Sequence, residues 1–326
     1  MSVIVLLGDI NVDLALEIST YPPEGGEAIA TAQRMFLGGS ATNTAVALSR
    51  SGHRCRLIGR VGDDAWGKQA LRDLRGEGID TTWIGRDPAE PTQINVVTVG
   101  STGERTMFAY RGANAQLSPA AIDAAAFDAA ELFHLSGYAF LQSPQSEAAD
   151  HAIGLAVARN IPITLDIPGG IVSRLASRVR TILPRLDTIV LGDADLAPLA
   201  DKPYGTSLEE AVRALLDLGV ERVAVKANEG RSLLCSAGVT ESASWLPADA
   251  FDTTGAGDAF AAGHIHGRLT GMTGRECCRL ANAFGALAVA RRGAGLAMPA
   301  IDEALALLGP RTGHHDAVTR ACGSLP

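Results

Sequence analysis

Phe251-Asp-Thr-Thr-Gly-Ala-Gly-Asp-Ala-Phe-Ala-Ala-Gly263 is a glycine-rich turn that runs into an alanine-rich helix. Gly255 and Gly257 allow the backbone to turn sharply and to approach a ligand closely. The helix predicted to begin near Asp258 points free backbone N–H groups and the positive end of its dipole at the same place. The segment therefore predicts a phosphate site built from backbone amides, with the Asp258 carboxylate placed to take a proton from an attacking hydroxyl.

A second interpretation treats Asp258 as an ordinary helix cap and the glycines as an ordinary loop. The residues just upstream, Asp252-Thr253-Thr254, add a second carboxylate and two hydroxyls to the same short loop. Such a concentration of polar groups is costly to keep without a ligand or a cation. The sequence therefore favours a binding site over a plain cap.

Three motifs together resemble one known family. The segment from Asp252 to Asp258, followed by Ala259-Phe260 and Gly263, resembles the C-terminal signature of the ribokinase-like (PfkB) family of sugar and nucleoside kinases. Gly38-Gly-Ser-Ala-Thr-Asn-Thr-Ala-Val-Ala-Leu48 resembles the N-terminal di-glycine motif of that family, and Gly59-Arg-Val-Gly-Asp-Asp-Ala-Trp-Gly67 resembles the segment that follows it. The resemblance extends from Leu7 to about Pro299.

Bulk composition bounds the class of protein. The chain has 326 residues, 47% of them hydrophobic and 20% charged, which fits a large packed core. A formal net charge of −8 argues against broad binding to nucleic acid or to an anionic membrane. Five cysteines without metal-ligand spacing indicate a reduced, cytoplasmic compartment. No apolar run is long enough to span a bilayer, and the N-terminus fits a buried strand rather than a signal peptide.

The order of elements predicts an α/β fold. Apolar strand patterns occur at 3–7, 56–61, 132–135, 161–166, 188–191 and 222–226, and helical patterns lie between them. This alternation predicts an open, mostly parallel sheet flanked by helices, a Rossmann-like three-layer arrangement. We expect one α/β domain over residues 1–308 and a loosely ordered tail over residues 309–326.

Two segments break this alternation, near residues 13–36 and 91–111. Their alternating, turn-rich patterns predict a small separate β-sheet, with a hairpin that turns near Ser101-Thr102-Gly103. The family resemblance implies that this sheet is a lid over the substrate. In many members the lid also serves as a homodimer contact, so we expect a homodimer through the β lid.

Two other nucleotide-binding motifs do not fit this sequence. The first strand is followed by Gly8-Asp-Ile-Asn11 rather than Gly-x-Gly-x-x-Gly, which disfavours a nicotinamide dehydrogenase. The segment from Gly62 to Gln69 comes within one residue of a P-loop, but Gln69 lacks the hydroxyl that binds Mg²⁺. The wall of a substrate pocket is the better interpretation.

The acceptor site is predicted at the carboxyl end of the first strand. Asn11 and Asp13 lie there and match the Asn-x-Asp pair that contacts substrate hydroxyls in the family. Gly39 and Asn43 join them by resemblance, the glycine for close approach and the amide for hydrogen bonds to a polyol. Arg111, beside the expected lid, is a candidate for pairing with a carboxylate or phosphate of the acceptor. An exposed strand charge that discourages aggregation is the alternative for Arg111.

The nucleotide side departs from the family pattern. Many relatives have an Asn-x-x-Glu motif tied to hydrated Mg²⁺, whereas this chain has Gly192-Asp-Ala-Asp195, so Asp195 is the candidate magnesium residue. Lys226-Ala-Asn-Glu-Gly230 is also off pattern, and Lys226, Asn228 and Gly230 are candidates for nucleotide contacts. Asn282 is a candidate adenine neighbour by resemblance only.

The resemblance also implies a monovalent cation site. In many members the loop equivalent to 288–298 binds K⁺ together with carbonyls of the Asp-Thr-Thr segment. The oxygen ligands here would come from Asp252, Thr254, Ala288, Arg291 and Gly293, mostly through the backbone. Ala297 stands where a hydroxyl ligand is often found, so K⁺ activation is a hypothesis.

The resemblance and the amide site together imply an ATP-dependent sugar kinase that phosphorylates a primary hydroxyl of a small carbohydrate. Asp258 would be the base, and the amides of Gly255, Ala256 and Gly257 would stabilise the γ-phosphoryl group, with Mg²⁺ bridging the phosphates. A nucleoside kinase of the same family is one alternative. A non-catalytic sugar- or nucleotide-binding protein that kept the fold is the other.

Overall fold

The computed structural model describes residues 1–100 and 105–309, which form two β-sheets and the helices around them. The strands are β1 (Val3–Leu7), β2 (Asn11–Glu17), β3 (Ala32–Gly38), β4 (Arg54–Gly62), β5 (Ile84–Asp87), β6 (Gln93–Val99), β7 (Arg105–Tyr110), β8 (Leu132–Ser136), β9 (Ile163–Asp166), β10 (Thr188–Gly192), β11 (Arg222–Ala227), β12 (Arg231–Ser236) and β13 (Val239–Ser244). The helices are α1 (Ser40–Arg50), α2 (Ala65–Gly76), α3 (Gly112–Ala115), α4 (Gln145–Ala158), α5 (Val172–Ile182), α6 (Asp193–Leu199), α7 (Leu208–Asp217), α8 (Ala256–Leu269), α9 (Gly274–Val289) and α10 (Ile301–Leu308).

The large sheet has nine strands in the order β13-β12-β11-β10-β9-β8-β1-β4-β5. The strands from β5 to β11 pair in parallel, and only β12 and β13 pair antiparallel. The predicted open, mostly parallel sheet is therefore confirmed. Because all its parallel strands point the same way, their carboxyl ends meet at one edge of the sheet.

Alternate residues of the interior strand β1 enter two separate hydrophobic cores. In β1, Val5 and Leu7 pack into the core that contains residues of α4 and α5. Ile4 and Leu6 face the opposite core, which contains residues of α1 and α8. Both faces of the strand are buried, which explains why its sequence is an uninterrupted apolar run.

The small sheet consists of four strands in the order β3-β2-β6-β7. β2 runs parallel to β6 and antiparallel to β3, and β6 pairs antiparallel with β7. The prediction of a small separate sheet from the two segments that break the alternation is thus confirmed. The predicted turn at residues 101–103 and the predicted tail at 309–326, except for its first residue Gly309, lie outside the described residues.

Several boundaries and elements differ from the sequence prediction. α8 begins at Ala256, two residues before the predicted start. The sequence patterns do not predict β5, β12, β13, α3, α6 or α10. β12 and β13 form the antiparallel edge of the large sheet, where half-exposed residues break the apolar pattern. In the described ranges, no helix has the length and apolar character needed to cross a bilayer.

Candidate active site

The start of α8 presents backbone amides at the carboxyl edge of the large sheet. Gly255 is the N-cap residue and has φ +75°, which an alanine adopts only with strain. A Cβ on Gly255 would lie 2.6 Å from Met298 Cε, so this position also has no room for a side chain. Ala256 N donates to Thr253 O in a long bond of 3.3 Å. Within the described part of the chain, the amides of Gly255 and Gly257 have no hydrogen-bond acceptor, which leaves two of the three predicted amides free to bind an anion.

Asp258 is held beside these amides by a residue from α1. Asn43 Nδ2 donates to Asp258 Oδ2 at 2.6 Å, and Asn43 Oδ1 accepts from Gly295 N at 2.8 Å. Burial and the neighbouring Asp166 charge raise the pKa of Asp258, the hydrogen bond from Asn43 opposes that rise, and the net result is a pKa of about 6. A carboxylate with such a pKa is suited to accept a proton near neutral pH.

Asn11 and Asp13 lie together at the start of β2, next to the same edge. Asn11 Nδ2 donates to Asp13 Oδ1 at 2.7 Å, and Asn95 Nδ2 of β6 donates to the same oxygen at 2.8 Å. Burial raises the pKa of Asp13, which these two hydrogen bonds partly offset. Two strands of the small sheet thus fix one carboxylate beside the large sheet.

Gly39 has a backbone role. Its φ is +106°, and a Cβ there would collide with the carbonyl oxygen of Asp9. The same carbonyl accepts from Thr42 Oγ1 at 3.0 Å, which fixes the first turn of α1 against the end of β1. The protein backbone therefore already requires a glycine at position 39.

Arg111 lies directly after β7 in a buried ion pair. Its Nη2 is 2.7 Å from both Asp9 oxygens and 2.6 Å from Gln145 Oε1. The Arg111 side chain is only 14% exposed, so the alternative of an exposed strand charge is wrong. Arg111 Nη1 is buried without a hydrogen-bond partner among the described residues. The acceptor-binding prediction for Arg111 stays open.

The Tyr138 phenol lies within electrostatic range of four carboxylates of the candidate site. Burial and then, in decreasing order, the charges of Asp258, Asp9, Asp166 and Asp13 together raise its pKa to about 12. These four carboxylates come from two strands, from the segment after β1 and from α8. Two of the four are paired with cations, Asp9 with Arg111 and Asp166 with Lys226.

Lys226 is an electrostatic neighbour of Asp258, Asp166 and Asp195. Lys226 Nζ lies 3.3 Å from Asp166 Oδ1, and Asp166 is almost fully buried. Burial raises the pKa of Asp195, which the hydrogen bond from the Gly170 backbone and the Lys226 charge partly offset. The candidate magnesium residue and the candidate nucleotide residue are thus electrostatic neighbours.

The remaining nucleotide candidates differ in their surroundings. Asn228 N donates to Asp193 Oδ2 at 2.7 Å, which joins the turn after β11 to the start of α6. Gly230, in the same turn, has φ +71° and open space around it. Asn282 Nδ2 donates to Ala243 O and Ser244 O at 3.1 and 3.0 Å. The Asn282 amide therefore fastens β13 to α9, a structural contact that the sequence did not indicate.

The carboxylate of Asp252 ties together the two segments of the predicted cation site. Its Oδ1 accepts from Thr254 N at 2.9 Å and from Thr254 Oγ1 at 2.6 Å, and its Oδ2 accepts from Gly293 N at 2.9 Å. The Arg291 side chain points to Ala297 O, 3.0 Å away, and to Glu303. The Ala288 carbonyl accepts from Arg291 N at 3.1 Å. Because the Arg291 side chain makes these contacts, only its backbone is available to bind a cation.

The near-match to a P-loop has no phosphate cradle. Asp64 caps α2 by accepting from Gly67 N at 2.7 Å, and it also accepts from Thr92 N at 2.7 Å. Lys68 Nζ pairs with Asp63 Oδ1 at 3.3 Å on the surface. Carboxylates of the chain fill the positions that a phosphate would need.

Sequence reasoning gave no role to Asp9, Asp166, Gln145 or Asn95. Asp9 and Asp166 lie at the carboxyl ends of β1 and β9, a position that could have revealed them. No local pattern marks Gln145 or Asn95, because their contacts join segments that are far apart in the chain.

Comparison with known proteins identifies the family. The model of the pfkB family carbohydrate kinases matches residues 1–301. An ATP-dependent ribose-1-phosphate kinase of Halopiger xanaduensis is 32% identical over 93% of this chain and 97% of its own length. A ribokinase of Arabidopsis thaliana is 29% identical over 94% of this chain and 80% of its own length.

The fold is shared with solved kinases. The structure of Arabidopsis thaliana ribokinase complexed with ribose and ATP superposes with a TM-score of 0.82 at 27% identity, covering 94% of this chain and 99% of that chain. The resemblance drawn from the three motifs is confirmed, and so is the ribokinase-like fold. The chain therefore belongs to the pfkB family of carbohydrate kinases and is an ATP-dependent phosphotransferase.

Proposed function

We propose that the protein transfers the γ-phosphoryl group of ATP to a primary hydroxyl of a small neutral carbohydrate. The observation that carries this proposal is Asp258, held by Asn43 at 2.6 Å beside two free amides at the start of α8. Asp258 is the base that takes the hydroxyl proton, and its pKa of about 6 leaves it ionised at neutral pH. The amides of Gly255 and Gly257 stabilise charge on the transferring group.

Asn11, Asp13, Gly39 and Asn43 orient the acceptor. Arg111 acts on the acceptor side through its pair with Asp9 and through its free Nη1. Asp13, which accepts hydrogen bonds from the neutral side chains of Asn11 and Asn95, repels an anionic acceptor and accepts hydrogen bonds from hydroxyls. This charge favours a neutral polyhydroxylated acceptor over an acidic sugar.

Lys226, Asn228, Gly230 and Asn282 form the nucleotide side of the proposed site. Among residues 1–100 and 105–309, no three His, Cys, Asp or Glu side chains converge as a metal site. Asp195 would supply one carboxylate to Mg²⁺, and the phosphates of ATP would supply further oxygen ligands, as is usual for this ion. Bound Mg²⁺ neutralises phosphate charge.

Asp252, Thr254, Ala288, Arg291 and Gly293 are proposed to hold K⁺ through oxygen atoms, mostly of the backbone. The Asp252 carboxylate supports this proposal because it accepts hydrogen bonds from Thr254 N and from Gly293 N, and so holds the two ligand-bearing segments next to each other. Initial rates in potassium-free and sodium-free buffer should rise when KCl is added. Equal rates would contradict the cation site.

We propose that the small sheet forms a homodimer contact as well as a lid. On its edge strand β7, Met107, Phe108 and Tyr110 are 54–62% exposed, an apolar surface that favours association. Analytical ultracentrifugation should give the mass of a dimer for the wild type and of a monomer for Phe108→Lys. A wild-type monomer at micromolar concentration would contradict the contact.

The decisive experiment follows ADP release from Mg-ATP with panels of sugars, sugar phosphates and nucleosides. We expect turnover with a neutral sugar such as ribose, and a loss of 10² to 10⁴-fold in kcat for Asp258→Asn with ATP binding retained. Preferred turnover of nucleosides would instead support the nucleoside kinase. Near-normal turnover by Asp258→Asn would refute the assigned base, and ATP binding without turnover of any acceptor would support the non-catalytic protein.

A further inference from the structure

The ammonium group of Lys226 lies beside the start of α8, a helix that begins about 30 positions after Lys226 in the sequence. Lys226 Nζ is 3.1 Å from the point that a Cβ on Gly257 would occupy, and 6.0 Å from the centre of the Phe260 ring. Its partner Asp166 has a side chain that is 2% exposed, while the Lys226 side chain is 23% exposed. A buried carboxylate thus fixes a partly open ammonium next to the free amide of Gly257.

Lys226 also lies between the two functional halves of the site. Burial raises the pKa of Asp166, Asp195 and Asp258, and in all three the Lys226 charge opposes that rise. Asp258 is the proposed base on the acceptor side, and Asp195 is the proposed magnesium residue on the nucleotide side. A group that is a neighbour of both lies where the phosphoryl group must pass from donor to acceptor.

We propose that Lys226 contacts the phosphoryl group in transfer, rather than the ribose or base of the nucleotide, and that Asp166 is its positioning residue. This inference rests on the proposed function. The acceptor oxygen forms a bond to the γ-phosphorus, the bond to the bridging oxygen of ADP breaks, and its electron pair stays on ADP. The hydroxyl proton passes to Asp258. Lys226 exchanges neither proton nor electrons, and its charge offsets the negative charge on the transferring oxygens.

Two positive groups lie close together at the start of α8, and both favour an anionic group such as the transferring phosphoryl. The free amide of Gly257 carries the partial positive charge of a helix N-terminus, and the Lys226 ammonium adds a compact full charge. A ribose hydroxyl is uncharged, so its binding requires neither the helix amide nor the ammonium group. Asp166 keeps the ammonium there, because a buried carboxylate without Lys226 would carry an uncompensated charge.

The test separates a γ-phosphoryl contact from any other contact with the nucleotide. Calorimetric Kd values for ATP and for ADP, and steady-state kcat, are measured for the wild type, Lys226→Met, Lys226→Arg and the control Lys202→Met. Lys202 pairs with Glu210 at 3.4 Å and is not one of the proposed site residues. Lys226→Met should lose about 10²-fold in kcat and should bind ATP more weakly while binding ADP as the wild type does. Lys226→Arg should recover part of the lost kcat and part of the lost affinity for ATP. Lys202→Met should match the wild type in both.

Equal weakening of ATP and ADP by Lys226→Met would overturn the inference in favour of a ribose or base contact. An unchanged kcat would overturn it as well. If Lys226→Met does not fold, Lys226→Gln, which can still donate to Asp166, answers the same two questions. A wild type that prefers ATP over ADP but phosphorylates no acceptor would refute the proposed function, while the ATP and ADP affinities of the variant would still decide the role of Lys226.

Discussion

Asn43 Nδ2 donates to Asp258 Oδ2 at 2.6 Å across 215 positions of the chain, and this bond joins the N-terminal and C-terminal motifs into one site. The bond stabilises the ionised carboxylate against burial and against the charge of Asp166. Asn43 Oδ1 meanwhile accepts from Gly295 N, so the orientation of the amide is fixed from both ends. The base and its orienting residue therefore come from separate motifs that are far apart in sequence.

The first prediction concerns the acid limb of the pH profile. A base must be ionised to act, so kcat/KM of the wild type should fall about tenfold per pH unit below a pKa of about 6. Asn43→Ala removes a hydrogen bond that lowers this pKa, so its acid limb should move to higher pH. The loss in kcat/KM should be on the order of tenfold at pH 6.5 and smaller at pH 8.5.

Thr44→Val is the matched control for this profile. Thr44 Oγ1 lies 3.3 Å from the backbone oxygen of Asp258, so the substitution leaves the carboxylate alone. Its acid limb should coincide with that of the wild type. An acid limb of Asn43→Ala that stays in place would mean that Asp258 is not the titrating base.

The second prediction concerns the turn before α8. Gly255→Ala places a side chain at φ +75°, 2.6 Å from Met298 Cε and 3.0 Å from Ala294 Cβ. Gly271→Ala is the control, because Gly271 has φ +74° but nothing within 4 Å of its added Cβ. Urea denaturation should show a cost of about 1 to 2 kcal/mol for the control from backbone strain alone, and a larger cost for Gly255→Ala. Only Gly255→Ala should also lower kcat, and equal effects of the two variants would argue against the close packing of this turn.

The third prediction concerns the buried pair of Arg111 and Asp9. Arg111→Met leaves the Asp9 carboxylate, which is 4% exposed, without its charged partner and should cost about 3 to 5 kcal/mol of folding free energy. The double variant Asp9→Asn with Arg111→Met removes both charges and should regain most of that loss in urea denaturation. If Arg111 also contacts the acceptor, the acceptor KM of the double variant should stay raised while the KM for ATP does not. Full recovery of the acceptor KM would restrict Arg111 to a structural role.

The parallel centre of the large sheet was predictable because strands buried on both faces are continuous apolar runs, as β1 shows. β13 was not predictable in the same way, since four of its six residues are exposed and its sequence therefore lacks an apolar run. α6 has seven residues and carries Pro198 inside the helix, so its periodicity is too short to recognise.

The candidate site likewise contains residues that the sequence reveals and residues that it does not. Gly255, Asp258, Asn43 and Asp13 lie in short motifs, so local sequence was enough to select them. The pair of Asp166 and Lys226 depends on β9, β10 and β11 lying side by side, which brings together residues 60 positions apart. A single sequence carries no local signal for such a contact.

The last prediction concerns His134, which lies at the centre of β8 between Leu6 of β1 and Thr164 of β9. Among the described residues neither of its ring nitrogens has a hydrogen-bond partner, and burial lowers its pKa to about 3. The unfolded chain binds a proton at this histidine below about pH 6.5, whereas the folded chain does not until the pH approaches 3. Folding stability should therefore decrease as the pH falls below 6.5, by roughly 1.4 kcal/mol per pH unit from this residue.

His134→Leu removes both the titration and the unpaired polar atoms. The variant should be at least as stable as the wild type at pH 7.5, because an apolar residue replaces an unsatisfied buried group. Between pH 7.5 and 5.5 its free energy of unfolding, measured by urea denaturation, should decline by about 1.4 kcal/mol less than that of the wild type. The adjacent Phe133→Leu changes packing without adding or removing a titrating group, so its stability should differ from the wild type by the same amount at both pH values. A decline in His134→Leu as steep as in the wild type would show that this histidine is protonated or paired in the folded protein.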